Sequence, residues 1–164
     1  MIVRYRRLAE RIRNELADLE RQVYRAQRAW KSAPRVADTD VYIDAVALNL
    51  HGFYSGIERL FELIATQVDE RVPGGEAWHR QLLDQMAQAV SEVRPAVIPP
   101  ETVTALDEFR RFRHLVRNVY TTNIDASRLQ SLMTALSPLW EQVRMQLTAF
   151  ADFLDQLSHA DEIP

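Results

Sequence analysis

The N-terminal part of the chain carries one apolar stripe with helical spacing. Between residues 8 and 30, apolar side chains recur at steps of 4, 4, 3, 4, 3 and 4. An α-helix has about 3.6 residues per turn, so these steps place the whole set on one face. We therefore predict a long amphipathic helix whose apolar face is covered by other helices, because packing supplies most helix stability in proteins. The stripe consists of Leu8, Ile12, Leu16, Leu19, Val23, Ala26 and Trp30.

A second helix is predicted from about residue 39 to Val68. Pro34 ends the first helix, and Asp38 or Thr39 can cap the second by accepting a bond from a free backbone N–H. The apolar arc of this segment is broad, so we place it near the centre of a bundle. Its apolar residues include Val46, Leu50, Phe53, Ile57, Leu60, Phe61, Ile64 and Val68.

Three further helical segments follow. Pro-Gly-Gly at 73–75 breaks the chain, and residues 76–90 form the third segment. The loop at 94–101 leads into a fourth helix, with Pro100 in its first turn. After a turn at 121–127, Asp125 is the predicted cap of a fifth helix.

Pro138 interrupts the fifth segment. A proline inside a helix removes one hydrogen bond and collides with the preceding turn, whereas a proline in the first turn costs little. Two alternatives therefore stay open: the helix kinks at Pro138, or a separate helix starts at Ser137–Pro138.

The fold class follows from these periodicities. No stretch alternates with period two for long enough to predict a strand. The 164 residues favour one domain. A chain of this size buries roughly 70% of its unfolded surface, enough for an independent core. We predict an all-α, up-and-down antiparallel bundle of about five helices, forming a single domain over residues 1–164.

Composition excludes several classes of site. The chain has no cysteine, which excludes disulfides and thiolate metal ligands, and its four scattered histidines argue against structural zinc. We predict no metal and no cofactor. No apolar run approaches the roughly 20 residues of a membrane helix, and the charged N-terminus is unlike a signal peptide. We therefore expect a soluble, cytoplasmic protein with no membrane partner.

The charge of the chain is unevenly distributed. The net charge of −3 argues against bulk nucleic-acid binding. Residues 1–31, however, hold nine Lys and Arg against four Asp and Glu, a local charge of +5. We interpret this excess as the solvated face of the first helix; a surface for nucleic acid or a protein partner is the alternative.

The fourth segment contains the stretch richest in side chains suited to binding or catalysis, FRHLVRNVY at 112–120. On a helical wheel Arg113, Arg117 and Tyr120 lie within about 60° of one another, at the edge of the apolar face. His114 and Asn118, four residues apart, share the neighbouring polar face. Arginines at such a border either reach a buried carboxylate or an anion, or lie over apolar surface with the charge in water. Spacing alone favours the second alternative.

Glu58, in the second helix, is the candidate partner for these arginines. Tyr54, Ile57 and Phe61 place it beside an apolar stripe, so we predict that it pairs with Arg113 or Arg117. An exposed ion pair contributing less than about 1 kcal/mol is the alternative. Among the other candidates, we expect His51 to be structural or on the surface, Trp78 to be in the core, and His79 to cap or bond locally.

The stretch at 112–120 resembles the signature of HepT-like HEPN-domain proteins, the helical half of HEPN/MNT-type toxin–antitoxin pairs. That signature is an arginine, a polar residue, three further residues, a histidine, any residue and a tyrosine. Arg113, His114 and Tyr120 match the arginine, the polar residue and the tyrosine. Asn118 stands where the family has histidine.

The resemblance extends over roughly residues 40–125. LHGFYSGIERLFELIA at 50–65 is similar to the second long helix of the family, including Tyr54 and Glu58. GGEAWHRQLLDQM at 74–86 and RPAVI at 94–98 are similar to one subgroup.

The resemblance implies a HEPN-like bundle of four or five helices that forms a homodimer, with the signature helices facing each other across a cleft. Active members cleave RNA there without metal. By this resemblance Arg113, Arg117 and Arg110 bind phosphate, and His114 and Asn118 line the cleft. The partner implied is an MNT-type nucleotidyltransferase antitoxin, which in some pairs transfers AMP to the tyrosine that Tyr120 matches.

The departure at Asn118 separates two hypotheses. RNA cleavage without metal requires groups that accept and donate protons, and an amide does not titrate. His114 is the nearest candidate to replace the missing histidine. The first hypothesis is a ribonuclease-toxin-like component that pairs with a nucleotidyltransferase. The alternative is a non-catalytic helical dimer, an interaction module that binds RNA or a protein partner.

Overall fold

Five helices make up the computed structural model, which describes residues 2–33, 39–118, 124 and 126–160, without the side chains of Thr39, Arg117 and Asn118. Within these residues no strand is present, so the predicted all-α bundle is confirmed. The helices are α1 (Ile2–Ser32), α2 (Thr39–Gln67), α3 (Trp78–Met86), α4 (Pro100–Asn118) and α5 (Ala126–Ala160).

The apolar stripe of α1 lies in the core. Its members from Leu8 to Ala26 are buried, and Trp30 is half-buried against the same core. The stripe packs on α2 and α5. Arg13 adds a polar connection, because its guanidinium reaches Asp152 at 2.8 Å and Asp155 at 2.7 Å on α5. Part of the basic face of α1 is therefore paired with acidic residues of the bundle.

Helix α2 occupies the predicted central position, since it contacts all four other helices. The eight apolar residues predicted for it are buried, the last of them, Val68, one position beyond the helix. Two glycines face α1: a Cβ at Gly52 would meet the side chain of Gln22, and one at Gly56 would lie 2.6 Å from Leu19. The absence of side chains there lets the two helix backbones approach closely.

Helix α3 is shorter than the predicted 76–90 segment. In a longer helix the amide of Val90 would bond to the carbonyl of Met86. Instead Val90 and Arg94 exchange two backbone bonds of 2.9 and 3.0 Å. The carbonyl of Met86 accepts the amide of Val97 at 2.8 Å. The returning loop therefore takes the acceptor that helix extension would require.

A buried ion pair fixes this loop. Arg94 donates to Asp69 at 2.5 and 2.7 Å, and both side chains are almost wholly buried. The Arg94 guanidinium also donates to the carbonyls of Gln85, Gln88 and Pro95. One side chain thus links the end of α2, the end of α3 and the loop before α4.

The start of α4 at Pro100 confirms the placement of that proline in the first turn. Helix α5 continues through Pro138, so the alternative of a separate helix at Ser137 was wrong. A proline inside a helix costs about 3 kcal/mol. The buried neighbours Leu136, Leu139 and Trp140 offset that cost by packing into the core. The predicted caps Asp38 and Asp125 lie outside the described residues.

Candidate functional site

Arg113 and Glu58 form a buried, two-pronged ion pair between α4 and α2. Arg113 Nη1 donates to Glu58 Oε1 at 2.6 Å, and Nη2 donates to Oε2 at 3.1 Å. The two side chains are only 8% and 7% exposed. The predicted pairing of Glu58 is therefore confirmed, with Arg113 as the partner. Burial makes this pair a fixed element of the site, because breaking it would leave an uncompensated charge.

Tyr54 packs one turn before Glu58 on α2. The Arg113 guanidinium lies 4.9 Å from the centre of its ring, within cation–π distance. Its hydroxyl is buried and has no hydrogen-bond partner in the described part of the chain. Burial, and then the charge of Glu58, raise the pKa of Tyr54 well above its ordinary value, so the phenol stays protonated. Tyr54 thus supports Arg113 without adding charge.

His79 on α3 joins the same cluster. Its Nδ1 lies 2.8 Å from Glu58 Oε2 and 3.0 Å from Arg113 Nη2. The imidazole also stacks on the indole of Trp78, with ring centres 3.6 Å apart. Three neighbours therefore surround the ring, which is 25% exposed.

The local role predicted for His79 was wrong. Its carboxylate partner lies 21 residues earlier in the chain, on α2. Because α3 packs across α2 and α4, a residue in its first turn meets both of them. Trp78 is half-buried and packs against the core from its edge. Its stacking on His79 was not predicted.

The end of α2 carries a second carboxylate near this cluster. Glu62, one turn beyond Glu58, is half-buried. Burial, and then the charge of Glu58, raise the pKa of Glu62. The two carboxylates are thus placed differently, Glu58 being held between Arg113 and His79 while Glu62 is protonated more readily.

Next to the cluster, three arginines converge on Asp107. Arg110 reaches this carboxylate at 2.6 Å, Arg80 at 2.8 Å and Arg111 at 3.1 Å. Asp107 is 4% exposed, and burial by itself would raise its pKa. The hydrogen bond from Arg110 and the charges of the three guanidinium groups outweigh burial, so the pKa of Asp107 is lowered. The carboxylate is therefore ionised and holds the three arginines together.

The three arginines line an open cleft of about 500 Å³ between α3 and α4. That volume lies within the range of small-ligand sites. Both histidines, His79 and His114, contribute to its wall. The other lining residues are Glu76, Ala77, Arg80, Arg110 and Arg111. The cleft thus combines proton-transferring groups with donors suited to phosphate oxygens.

The signature residues are distributed between this cleft and the core. Arg110 and His114 line the cleft, whereas Arg113 is buried behind it. Arg117 and Asn118 are described only by their backbone in α4, and Tyr120 lies outside the described residues. His51 is half-buried on α2.

Sequence reasoning missed Asp107, Arg80 and Arg111. The spacing of Asp107, Arg110 and Arg111 at i, i+3 and i+4 is a signal that was available, because such residues are neighbours on a helix. The approach of Arg80 from α3 has no such signal. In the described part of the chain no group of acidic or histidine side chains is arranged to hold a metal ion. None of the helices described there combines the length and apolarity needed to cross a bilayer.

A family model described as HepT-like protein matches residues 45–154. This region holds most of α2, all of α3 and α4, and most of α5. The chain belongs to the HepT-like family.

The match confirms the family resemblance that residues 40–125 indicated. Searches of curated proteins and of solved structures each found no match. Within this HepT-like chain, Glu58, His79, Arg113 and the cleft all fall inside the matched region, whereas α1 lies before it.

Proposed function

We propose that this HepT-like protein is the RNA-directed, toxin-like component of a pair whose other member is an MNT-type nucleotidyltransferase antitoxin. The family match over residues 45–154 carries the proposal. The cleft between α3 and α4 supports it, because the arginines Arg80, Arg110 and Arg111 offer forked donors of the kind that bind phosphate.

The roles proposed for the signature residues combine the family resemblance with the burial of Arg110, Arg113 and His114, whose side chains are described. Arg110, with Arg117 on the same helix, binds RNA phosphate, and His114 and Asn118 line the RNA site. Arg113 has a different role, because both of its terminal nitrogens are bonded to Glu58. We assign it to positioning: it holds α4 against α2 and fixes the Glu58 carboxylate beside His79.

The proposal also includes a homodimer and a modification by the partner. Two copies of the chain form a homodimer with their signature helices facing, so that each RNA site borders on the other subunit. The nucleotidyltransferase transfers AMP to Tyr120. An adenylyl group adds bulk and negative charge next to a site that binds phosphate, and both changes oppose RNA binding.

The test uses the full-length protein and the nucleotidyltransferase encoded beside it. Incubation with ATP is expected to add one AMP to wild type and none to Tyr120→Phe, measured by intact-mass spectrometry. Binding of a fluorescent single-stranded RNA is expected to weaken after modification, and to weaken about uniformly across sequences in Arg110→Ala. Absence of both RNA binding and AMP transfer overturns the proposal.

A specific observation favours a second candidate, a non-catalytic interaction module. The charge of Arg113 is neutralised by Glu58 in the core, and Asn118 does not titrate. In that case the arginines serve only the fold. Arg110→Ala would then leave RNA binding unchanged, and Arg113→Ala would lower the melting temperature without any other effect.

A further inference from the structure

We propose that His79 is a proton-transferring catalytic residue, oriented by Glu58. It takes the role of the signature histidine, whose position is occupied by Asn118. This inference rests on the proposed RNA-directed function and deepens it. The new assignment is the residue: RNA as the substrate and its cleavage without metal are what the family resemblance implies, and the structure adds His79 as the base that acts on the 2′-hydroxyl.

The contacts of His79 define which ring nitrogen is available. Nδ1 lies between Glu58 Oε2 at 2.8 Å and Arg113 Nη2 at 3.0 Å. We place the proton on Nδ1, because the shorter contact is to a carboxylate, which only accepts hydrogen bonds; the contact of Nδ1 with Arg113 Nη2 is then not a hydrogen bond. Nε2 then carries a lone pair, and no side chain in the described residues engages it. A histidine held by a carboxylate in this tautomer is arranged as a general base.

The fold gives this base a rigid support. Glu58 is held by two bonds from Arg113, and the indole of Trp78 lies against the imidazole. The ring nitrogen Nδ1 contacts Glu58 and Arg113, and a quarter of the side chain is exposed. His79 also lines the α3–α4 cleft, and we assign Nε2 to the side of the ring that meets the RNA.

The same cleft provides the other groups that the reaction needs. His114 lines it from α4 and serves as the general acid. Arg110 and Arg111 lie on the same wall, and their forks suit the non-bridging phosphate oxygens. The two histidines come from different helices, so their placement in one cleft depends on the packing of α3 against α4.

The proposed step is balanced in atoms and charge. The 2′-oxygen of a ribose attacks the adjacent phosphorus, and its proton passes to Nε2 of His79. The bond from phosphorus to the 5′-oxygen of the next nucleotide breaks, and that oxygen takes a proton from protonated His114. The products are a 2′,3′-cyclic phosphate and a 5′-hydroxyl, and no oxidant, reductant or co-substrate is consumed.

Charged groups face His79 from the helices packed against it and from its own helix. Glu58 and Glu62 face it from α2, Arg113 from α4, and Arg80 follows it on α3. The carboxylate of Glu58 and the guanidinium of Arg113 thus place opposite charges within 3.0 Å of Nδ1.

His79→Asn is the decisive variant, because the amide nitrogen of asparagine reproduces Nδ1 and keeps a donor for Glu58 without a titrating group. Single-turnover cleavage of a 5′-labelled mixed-sequence RNA, in buffer containing EDTA, is expected to slow by about 100-fold or more. The wild-type rate is expected to rise with pH between about 5 and 7, and that rise is expected to vanish in the variant. His159→Asn, an exposed histidine on α5, is the matched control with unchanged rate.

Three results overturn the inference. These are wild-type protein that leaves RNA uncut, cleavage that needs an added divalent ion, and His79→Asn that cuts at the wild-type rate. If His79→Asn does not fold, two other results decide. A wild-type rate that is flat between about pH 5 and 7 overturns the proposal, and rescue of a folded His79→Ala by added imidazole supports it. RNA binding and AMP transfer to Tyr120 are measured on the same proteins. If His79→Asn keeps both signals and also cuts at the wild-type rate, only the role of His79 is refuted. If the wild-type protein neither binds RNA nor accepts AMP, the proposed function is refuted.

Discussion

Arg113 and Glu58, 55 residues apart in the chain, meet in the core through two hydrogen bonds of 2.6 and 3.1 Å. The signature arginine of α4 is therefore a buried structural cation rather than an exposed one. Because Glu58 also bonds to His79, the pair couples three helices at one point. In the proposed function, the arginines that meet an RNA phosphate are therefore those of the cleft and not Arg113.

Arg113→Ala is expected to lower the free energy of unfolding by about 3–5 kcal/mol, because it leaves the Glu58 carboxylate buried without its main cation. Urea denaturation followed by circular dichroism measures the change. Arg144→Ala is the control, since Arg144 pairs with Glu141 on the surface and its loss is expected to leave the midpoint unchanged. Equal midpoints for both variants would refute the structural role of Arg113.

Arg94→Met is expected to loosen the loop between α3 and α4 before the rest of the bundle. The substitution leaves Asp69 buried without its cation, with the Gln85 amide still donating to it, and removes the bonds to the carbonyls of Gln85, Gln88 and Pro95. The amides of Val97 and Ile98, which bond to Met86, report on this loop. Hydrogen exchange at these amides is expected to accelerate more than exchange in α5. A uniform acceleration across both regions would contradict the local effect.

Asp107→Asn is expected to destabilise the protein at neutral pH and to lose that effect in acid. The folded-state pKa of Asp107 is lowered, so its ionised form contributes stability above the ordinary value of 3.8. That contribution disappears as pH falls from 3.8 through the lowered value. Denaturation midpoints of wild type and variant are therefore expected to differ between about pH 5 and 7 and to converge below the ordinary pKa. A difference between wild type and variant that stays the same from neutral pH down to below the ordinary pKa would exclude Asp107 as the titrating group.

Gly56→Ala and Gly52→Ala are expected to differ in sign or size although both glycines lie on α2. Alanine raises helix propensity by about 1 kcal/mol at either position. At Gly56 the new methyl would lie 2.6 Å from Leu19 Cδ2, so either α1 or the closely packed Leu19 side chain must shift within the core. At Gly52 the obstacle is the flexible amide end of Gln22, which can rotate away. Thermal unfolding is expected to rank Gly52→Ala above Gly56→Ala, and the reverse order would exclude close packing at Gly56.

The sequence by itself determined the helices and which faces they bury. The stripe from Leu8 to Ala26 and the apolar arc of α2 are local patterns, and a helix has only one way to place them on a face. The same wheel placed Arg113 at the edge of the core, and Glu58 was predicted to pair with Arg113 or Arg117; the structure selects Arg113. Family membership was also visible in short segments, because helix α2 and the signature are each contiguous.

Tertiary structure alone decided how the site is assembled. His79 was assigned a local role, because nothing within its own helix indicates a partner on α2. Arg80 reaches Asp107 because α3 packs against α4. The spacing of residues in the sequence does not predict how these two helices pack. The length of α3 depended on which amide bonds to the Met86 carbonyl. An amide of the loop at 94–98 makes that bond, and the buried Arg94 holds this loop in place. Periodicity fixes what a helix presents, whereas the contacts between helices far apart in sequence depend on packing, and the candidate site consists of such contacts.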